Sequence, residues 1–283
     1  MTKTIAVAVT CHNRRSLTLA FLDALWNEES PAAASLAVFL TDDGSTDGTF
    51  DAVQSRFPHV KLIRGNGTLY WSGGMRLAMA EAMKSDPDFY WWLNDDTLLE
   101  TDALARMLST YEVLLANGAP DPIVVGSTKD PETGMLTYGG AVRSSWWHPL
   151  RFRLVEPVAA PVRCHAMNGN CVLISRPVVH KIGNLDPVFT QGRGDYDYAL
   201  RAWKAGCSVW VAPGFFGTCR RNPAQGTWRD ASLPLADRLG RSLGPKGLPP
   251  REWAVFARRH AGVLWPLFSV SPYVKAVLGR PRL

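Results

Sequence analysis

Along the first 116 residues the apolar positions keep two rhythms in turn. IAVAVT (5–10) is an unbroken apolar run, the pattern of a strand covered on both faces. Leu17, Ala20, Phe21, Ala24 and Leu25 then recur at the three-to-four spacing of one helix face. LAVFLT (36–41) reads as a second strand and KLIRG (61–65) as a weaker third. Met75, Ala78, Met79, Ala82 and Met83 form another helical stripe, and FYWWLN (89–94) the next strand. A helix from about Asp102 to Asn117 turns Leu104, Met107, Leu108, Tyr111 and Leu115 inward. Such alternation predicts an α/β fold, a mainly parallel central sheet flanked by helices. In these sheets ligands sit beyond the carboxyl ends of the strands.

The polar clusters fall at those ends. CHNR (11–14) follows the first predicted strand, DDGSTDGT (42–49) the second and NDDT (94–97) the fourth. If those strands are parallel neighbours, three clusters meet on one rim. From about Pro120 the alternation fades. IVVGS (123–127), TYGGAV (137–142), NCVLIS (170–175) and SVWVAP (208–213) read as strands between Gly- and Pro-rich loops. DYDYALRAWKAG (195–206) reads as a helix ended by Gly206. Beyond Arg220 the best helical candidate is PREWAVFARRHAGVLWPLF (250–268).

Composition narrows the picture. With 283 residues, 46% of them hydrophobic, the chain can bury a large core. The net charge of +6 is unevenly placed: residues 220–283 hold 12 Lys and Arg against 3 Asp and Glu, residues 1–219 hold 19 against 22. A basic tail suits either nucleic acid or an anionic membrane leaflet. No RRM, KH or helix-turn-helix signature appears, so no nucleic-acid partner is expected. The start, MTKTIAVAVT, lacks a signal-peptide layout, and no apolar run approaches the ~20 residues of a membrane span. Five cysteines, Cys11, Cys164, Cys171, Cys207 and Cys219, include no CxxC pair, which predicts a reduced, cytoplasmic protein.

Each polar cluster admits a chemical and a structural reading. Asp95-Asp96 fits a divalent-cation site for a substrate diphosphate, because Mg²⁺ takes one or two carboxylates plus phosphate oxygens; it fits a strand-end turn equally. DDGSTDGT is turn-forming, yet a carboxylate there can accept from a ribose hydroxyl or a base N–H. Gly73-Gly74 in GNGTLYWSGGM (65–75) are read as preceding a helix whose N–H groups favour an anion, against a loop stapled by Tyr70 and Trp71. Asp195 and Asp197 at a helix start are N-caps or, alternatively, supply a general base. No Walker or GxGxxG pattern is present.

Taken together and in order, these motifs resemble the family-2 inverting glycosyltransferases, which have the GT-A fold; the match covers nearly the whole chain. VTCHNR looks like that family's opening strand and nucleotide turn, TDDGSTDGT like its second nucleotide loop, WLNDDT like its DxD motif, and GDYDYALRAWKAG like the segment carrying the base. GNGTLYWSGGM followed by NDDT looks most like the rhamnosyltransferase branch. The resemblance implies that Asp43 holds the donor's base or ribose, with Cys11, His12, Asn13, Ser45, Gly73, Gly74 and Asn94 lining the donor site. It implies Mg²⁺ or Mn²⁺ on Asp96, with Asp95 beside it touching sugar or ribose, and Asp195 as the base. Three positions depart from the pattern: Asn94 for the first carboxylate of DxD, Gly194 for a common acidic residue, and Thr218-Cys219 where relatives place a histidine.

The expected protein is therefore an inverting transferase moving a sugar from dTDP-rhamnose or a UDP-sugar to a glycan or lipid-linked glycan acceptor. A non-catalytic sugar-nucleotide-binding or assembly subunit is the alternative. Residues 1–223 form the expected catalytic domain, with a donor half (1–119) and an acceptor half (120–223); 224–283 form a helical C-terminal extension. Trp253, Phe256, Trp265, Leu267 and Phe268, interleaved with Arg251, Arg258, Arg259 and Lys275, either contact the cytoplasmic face of a membrane or cap the domain.

Overall fold

The computed structural model describes residues 2–27, 34–228, 230 and 232–277. The first half runs β1 (Lys3–Cys11), α1 (Arg15–Trp26), β2 (Ala34–Asp42), α2 (Thr49–Arg56), β3 (Lys61–Arg64), α3 (Tyr70–Met83), β4 (Phe89–Leu93), β5 (Leu98–Leu99) and α4 (Ala103–Ala116). The second half runs β6 (Pro122–Lys129), β7 (Leu136–Tyr138), β8 (Gly140–Arg143), β9 (Phe152–Leu154), β10 (Val162–Cys164), β11 (Ala166–Met167), β12 (Cys171–Ser175), α5 (Arg176–Ile182), α6 (Gly194–Lys204) and β13 (Ser208–Thr218). Helices α7 (Leu235–Leu243), α8 (Pro250–His260) and α9 (Trp265–Val277) follow.

The main sheet has the order β10-β13-β6-β12-β4-β1-β2-β3, with β5 on β13 and β7 on β6. β1 lies parallel between β2 and β4, and Cys11 stands level with Asp42, so the three polar clusters leave the sheet side by side. β12 joins the halves, antiparallel to both β4 and β6. β4 is buried at all five residues and shows why its sequence is so apolar. Phe89, Trp91 and Leu93 face one core with α1 and α4; Tyr90 and Trp92 face the other with α3 and α6. Full burial of each such side chain stabilises by roughly 1.5–3 kcal/mol.

Two helix faces differ from the periodicity. In α1, Leu17 is exposed and Leu22 buried, because Thr18 turns in to hydrogen-bond Asp95 and carries the stripe with it. In α4, Leu114 rather than Leu115 packs inward; both lie one turn beyond Tyr111, and packing selects the first. TYGGAV is two strands, not one. β7 stays in the main sheet, whereas β8 joins a small sheet with β11 and β9. They part at Gly139, where a Cβ would lie 2.8 Å from Ser127 Oγ.

The single helix read over 250–268 is broken at Gly262, whose φ of +68° ends α8 before α9 begins. Trp253 and Phe256 are buried with Phe189 and Leu200 of the main body, so these two aromatics do not face a membrane. The junction is ionic as well. Fully buried Asp197 accepts from Arg201 Nε (2.8 Å), Arg259 Nη1 (3.1 Å) and His260 Nε2 (2.9 Å). Burial pushes its carboxyl up, but the His260 and Arg201 bonds outweigh this and hold it below the usual range. Arg259 also pairs with Asp186 at 2.6 Å, and Thr190 donates to Glu252 at 2.6 Å.

Candidate active site

The rim begins with two interlocked loops. Asn13, in the left-handed region at φ +51°, donates its backbone N–H to Ser45 Oγ (2.8 Å) and accepts from the Thr46 N–H (2.7 Å). His12 Nδ1 lies 2.6 Å from the Asp43 carbonyl oxygen. The Asp43 carboxylate accepts from three backbone N–H groups, those of Gly67 (2.8 Å), Leu69 (2.9 Å) and Tyr70 (2.9 Å). Gly65 makes this possible, since a Cβ there would fall 2.7 Å from Asp43 Oδ1. Asp43 thus builds the donor-side loop, and only the remaining lone pair on Oδ1 is left for a ligand. Cys11 does not line an open pocket as expected: its thiol is buried in the core, and burial and Asp95 push its pKa up.

The glycine pair is also corrected. α3 starts at Tyr70, so Gly73 and Gly74 lie inside it and are buried. The first N–H groups already have acceptors: Asp43 for Tyr70, Gln191 Oε1 for Trp71 (3.1 Å) and the Thr190 carbonyl for Ser72 (2.8 Å). With those donors occupied, the pair forms no anion cradle. The glycines instead let α3 settle on the sheet, since a Cβ on Gly74 would lie 2.0 Å from Thr10 Oγ1.

At the exit of β4 the carboxylates already hold a cation. Arg14 Nη1 donates to Asp95 Oδ1 (3.1 Å) and Asp96 Oδ2 (2.7 Å). Asp95 is 4% exposed and also accepts from Thr18 at 3.2 Å. Burial raises its carboxyl to about 7 although Arg14 opposes the rise. Asp96 is more open, and its Oδ1 accepts from the Cys219 thiol at 3.4 Å. Burial and the Asp96 charge raise that thiol to about 12. The guanidinium shows that the carboxylate pair accommodates positive charge, and the all-oxygen donors suit Mg²⁺ or Mn²⁺. Among the described residues no three His, Cys, Asp or Glu form a closed cage, so a cation here would complete its shell with ligand oxygens and water. A cleft of about 480 Å³ opens at the start of α1, lined by Asn13, Arg14, Arg15, Ser16, Leu17, Leu19 and Asp47; of the residues around the carboxylate pair only Arg14 reaches it.

Asp195 arrives from the other half, in the first turn of α6. Its Oδ2 accepts from the Gly169 N–H (3.2 Å) and its Oδ1 from the Tyr196 N–H (2.8 Å). Burial raises the carboxyl to about 6 against those bonds, which suits a base that must be unprotonated near neutral pH. Gly194 has a steric reason, since a Cβ there would fall 2.6 Å from Ser72 Oγ.

Trp71 joins the two halves. Its Nε1 donates to Asn94 Oδ1 (2.7 Å), beside the carboxylate pair, and its ring lies over Gly169, where a Cβ would come within 2.3 Å of it. Asp43, Asp95, Asp96 and Asp195 are therefore linked through Tyr70, Trp71, Asn94 and Gly169 on one rim. The sequence reading assigned no role to Arg14 and only a loop-stapling one to Trp71. Arg14 had a signal: two adjacent carboxylates need a counter-charge, and CHNR supplies one on the neighbouring strand.

A comparison with family models matches glycosyl transferase family 2 over residues 6–183. The chain is 27% identical to an N-acetylglucosaminyl-diphospho-decaprenol L-rhamnosyltransferase of Mycobacterium tuberculosis (strain CDC 1551 / Oshkosh), over 71% of each chain. Among solved structures it resembles a mannosyltransferase from Pyrobaculum calidifontis in complex with GDP-Man and Mn²⁺, with a TM-score of 0.57 and 15% identity, covering 99% of this chain and 72% of that one. It also resembles GalNAc-T7 with UDP, GalNAc and Mn²⁺, at a TM-score of 0.60 and 18% identity, covering 80% and 45%.

Proposed function

The chain belongs to glycosyl transferase family 2 and has the GT-A fold, and from that premise we propose that it moves L-rhamnose from a nucleotide-diphosphate sugar to a lipid-linked glycan precursor. The rhamnosyl donor and the lipid-diphosphate acceptor are suggested by the mycobacterial relative's name. dTDP-rhamnose is the favoured donor, a UDP-sugar the alternative. Residues 1–119 would form the donor half, 120–223 the acceptor half and 224–283 the extension. The enzyme would work at the cytoplasmic face of a membrane.

One observation carries the reading: a carboxyl near pKa 6, Asp195, shares a rim with an arginine-bridged carboxylate pair. The chemistry follows. Asp195 takes the proton of an acceptor hydroxyl while that oxygen attacks the anomeric carbon. The bond to the leaving diphosphate breaks on the opposite side, which inverts the configuration. Asp96, with Asp95 beside it, would hold Mg²⁺ or Mn²⁺, which neutralises charge on the departing diphosphate. His12, Asn13, Ser45 and Asn94 would line the approach for the nucleotide, and Arg14, which bridges the two carboxylates in this structure, would turn to the diphosphate as the cation takes its place. Asp43 supports the site mainly by fixing the loop over which the donor lies.

The test is donor consumption and product mass in the presence of Mn²⁺, with dTDP-rhamnose, UDP-sugars and a lipid-diphosphate N-acetylglucosamine acceptor. Transfer of rhamnose that depends on Asp195 is expected. Binding of no nucleotide sugar would end the proposal.

A further inference from the structure

We propose that the turn between β8 and β9, together with the outer face of α9, is the surface that docks on an anionic bilayer. The proposal rests on the reading above only in taking the acceptor to be lipid-linked. The surface keeps Leu267 and Lys275 of the set suggested by the sequence but not Trp253, Phe256 or Phe268, which are buried.

Trp146 is 94% exposed at that turn and Trp147 is exposed beside it. On the C-terminal segment Val263, Leu267, Val270 and Val274 are all exposed, at steps of four, three and four residues, a single helical face from α9 back to the turn preceding it. The turn packs beside α9, on the side of that helix where Phe268 is buried. His148 packs against Trp147, with ring centroids 5.7 Å apart, and against Phe268 of α9 at 4.5 Å. No helix among the described residues is long and apolar enough to cross a membrane, and an amphipathic face of this kind lies in the plane of a bilayer surface.

Charge selects the occupant. Residues 139–155 contain Arg143, Arg151 and Arg153 and no acidic residue, and residues 253–283 contain no Asp or Glu. Lys275 and Arg151 both act electrostatically on His148, where the two segments meet. A second copy of the chain meeting this face with its own would set like charge against like, whereas an anionic lipid surface complements both the cations and the apolar side chains. Tryptophan also suits the headgroup boundary, being apolar with a polar N–H.

The location connects binding to chemistry. β9 carries Phe152, whose ring meets Tyr196 edge-on at 5.2 Å, and Tyr196 follows Asp195. A bilayer under this turn would bring the head group of a membrane-anchored acceptor toward the base.

The experiment is co-sedimentation of the full chain with vesicles of phosphatidylcholine, with and without phosphatidylglycerol. Alongside it runs a W146S/W147S/L267S variant, whose fold and donor site are checked by thermal shift with the nucleotide sugar. Wild type should pellet with the anionic vesicles and be quenched by brominated lipid, and the variant should bind at least about tenfold more weakly with donor binding unchanged. Equal pelleting of the two proteins overturns the proposal. So does failure to bind anionic vesicles, including the case where the wild type dimerises in ultracentrifugation and the variant does not, which assigns the face to a second copy. Donor turnover in detergent is unaffected by either result, so this idea and the assigned activity can fail separately.

Discussion

Replacing Asp195 by Asn should make the protein more stable at alkaline pH while removing most of its activity. Burial moves this carboxyl from an ordinary 3.8 to about 6, an interval worth about 3 kcal/mol. The folded state holds its proton where the unfolded state has released it. This group's contribution is therefore neutral below pH 3.8, becomes destabilising as pH rises, and reaches its full penalty above about pH 6. Asn has no charge and escapes that penalty. Its amide nitrogen, however, faces one of the two backbone donors, Gly169 or Tyr196 N–H, and the lost bond costs about 1–2 kcal/mol. The net gain at pH 8 is about 1–2 kcal/mol, or a melting temperature roughly 2–6 °C higher; near pH 4 the penalty is almost gone and the lost bond leaves the variant about 1 kcal/mol less stable than the wild type. Calorimetry at the two pH values measures it, and initial rates over the same range should show an acid limb near pH 6 in the wild type. Turnover of the variant should fall by about 10²–10⁴-fold. A variant equally destabilised at both pH values, or one turning over like the wild type, refutes the reasoning.

Three further outcomes are expected. Arg14→Ala leaves buried Asp95 without its cation and should lose about 1–3 kcal/mol at pH 8 in urea unfolding; the loss should shrink near pH 5, where Asp95 is protonated. Gly74→Ala drives a Cβ to within 2.0 Å of Thr10 Oγ1 and should cost about 1–3 kcal/mol by thermal melting, partly recovered when Thr10→Ala is added. Asp197→Asn strips the carboxylate from Arg201, Arg259 and His260; a loss of about 3–5 kcal/mol and faster proteolytic release of the C-terminal helices are the readouts.

Much of the fold was legible because it rests on local rhythm. FYWWLN is apolar throughout since β4 lies between two cores, and a strand so placed shows no alternation to misread. The clustering of CHNR, DDGS and NDDT on one rim followed from parallel pairing alone. What periodicity could not show was the use of individual polar atoms. Asp43 was read as a ligand contact, and three of its four acceptor positions are taken by a loop more than twenty residues away in sequence, which no periodicity could show. Gly73 and Gly74 looked like an anion cradle because the helix start was placed after them, and the N–H acceptor that closes the cradle, Thr190, comes from the opposite half. Trp71 was read as a staple of its own loop, yet its indole N–H bonds Asn94 and its ring fills the space above Gly169. The aromatic tail was ambiguous for a similar reason. Trp253 and Leu267 are alike in composition, but one lies in a core and the other is 66% exposed.

The most direct measurement is a crystal structure of the full chain with dTDP-rhamnose and Mn²⁺. The diphosphate should lie beside Asp96 and Arg14, with the anomeric carbon facing Asp195. A donor bound on another surface, or one whose sugar points away from Asp195, would contradict it.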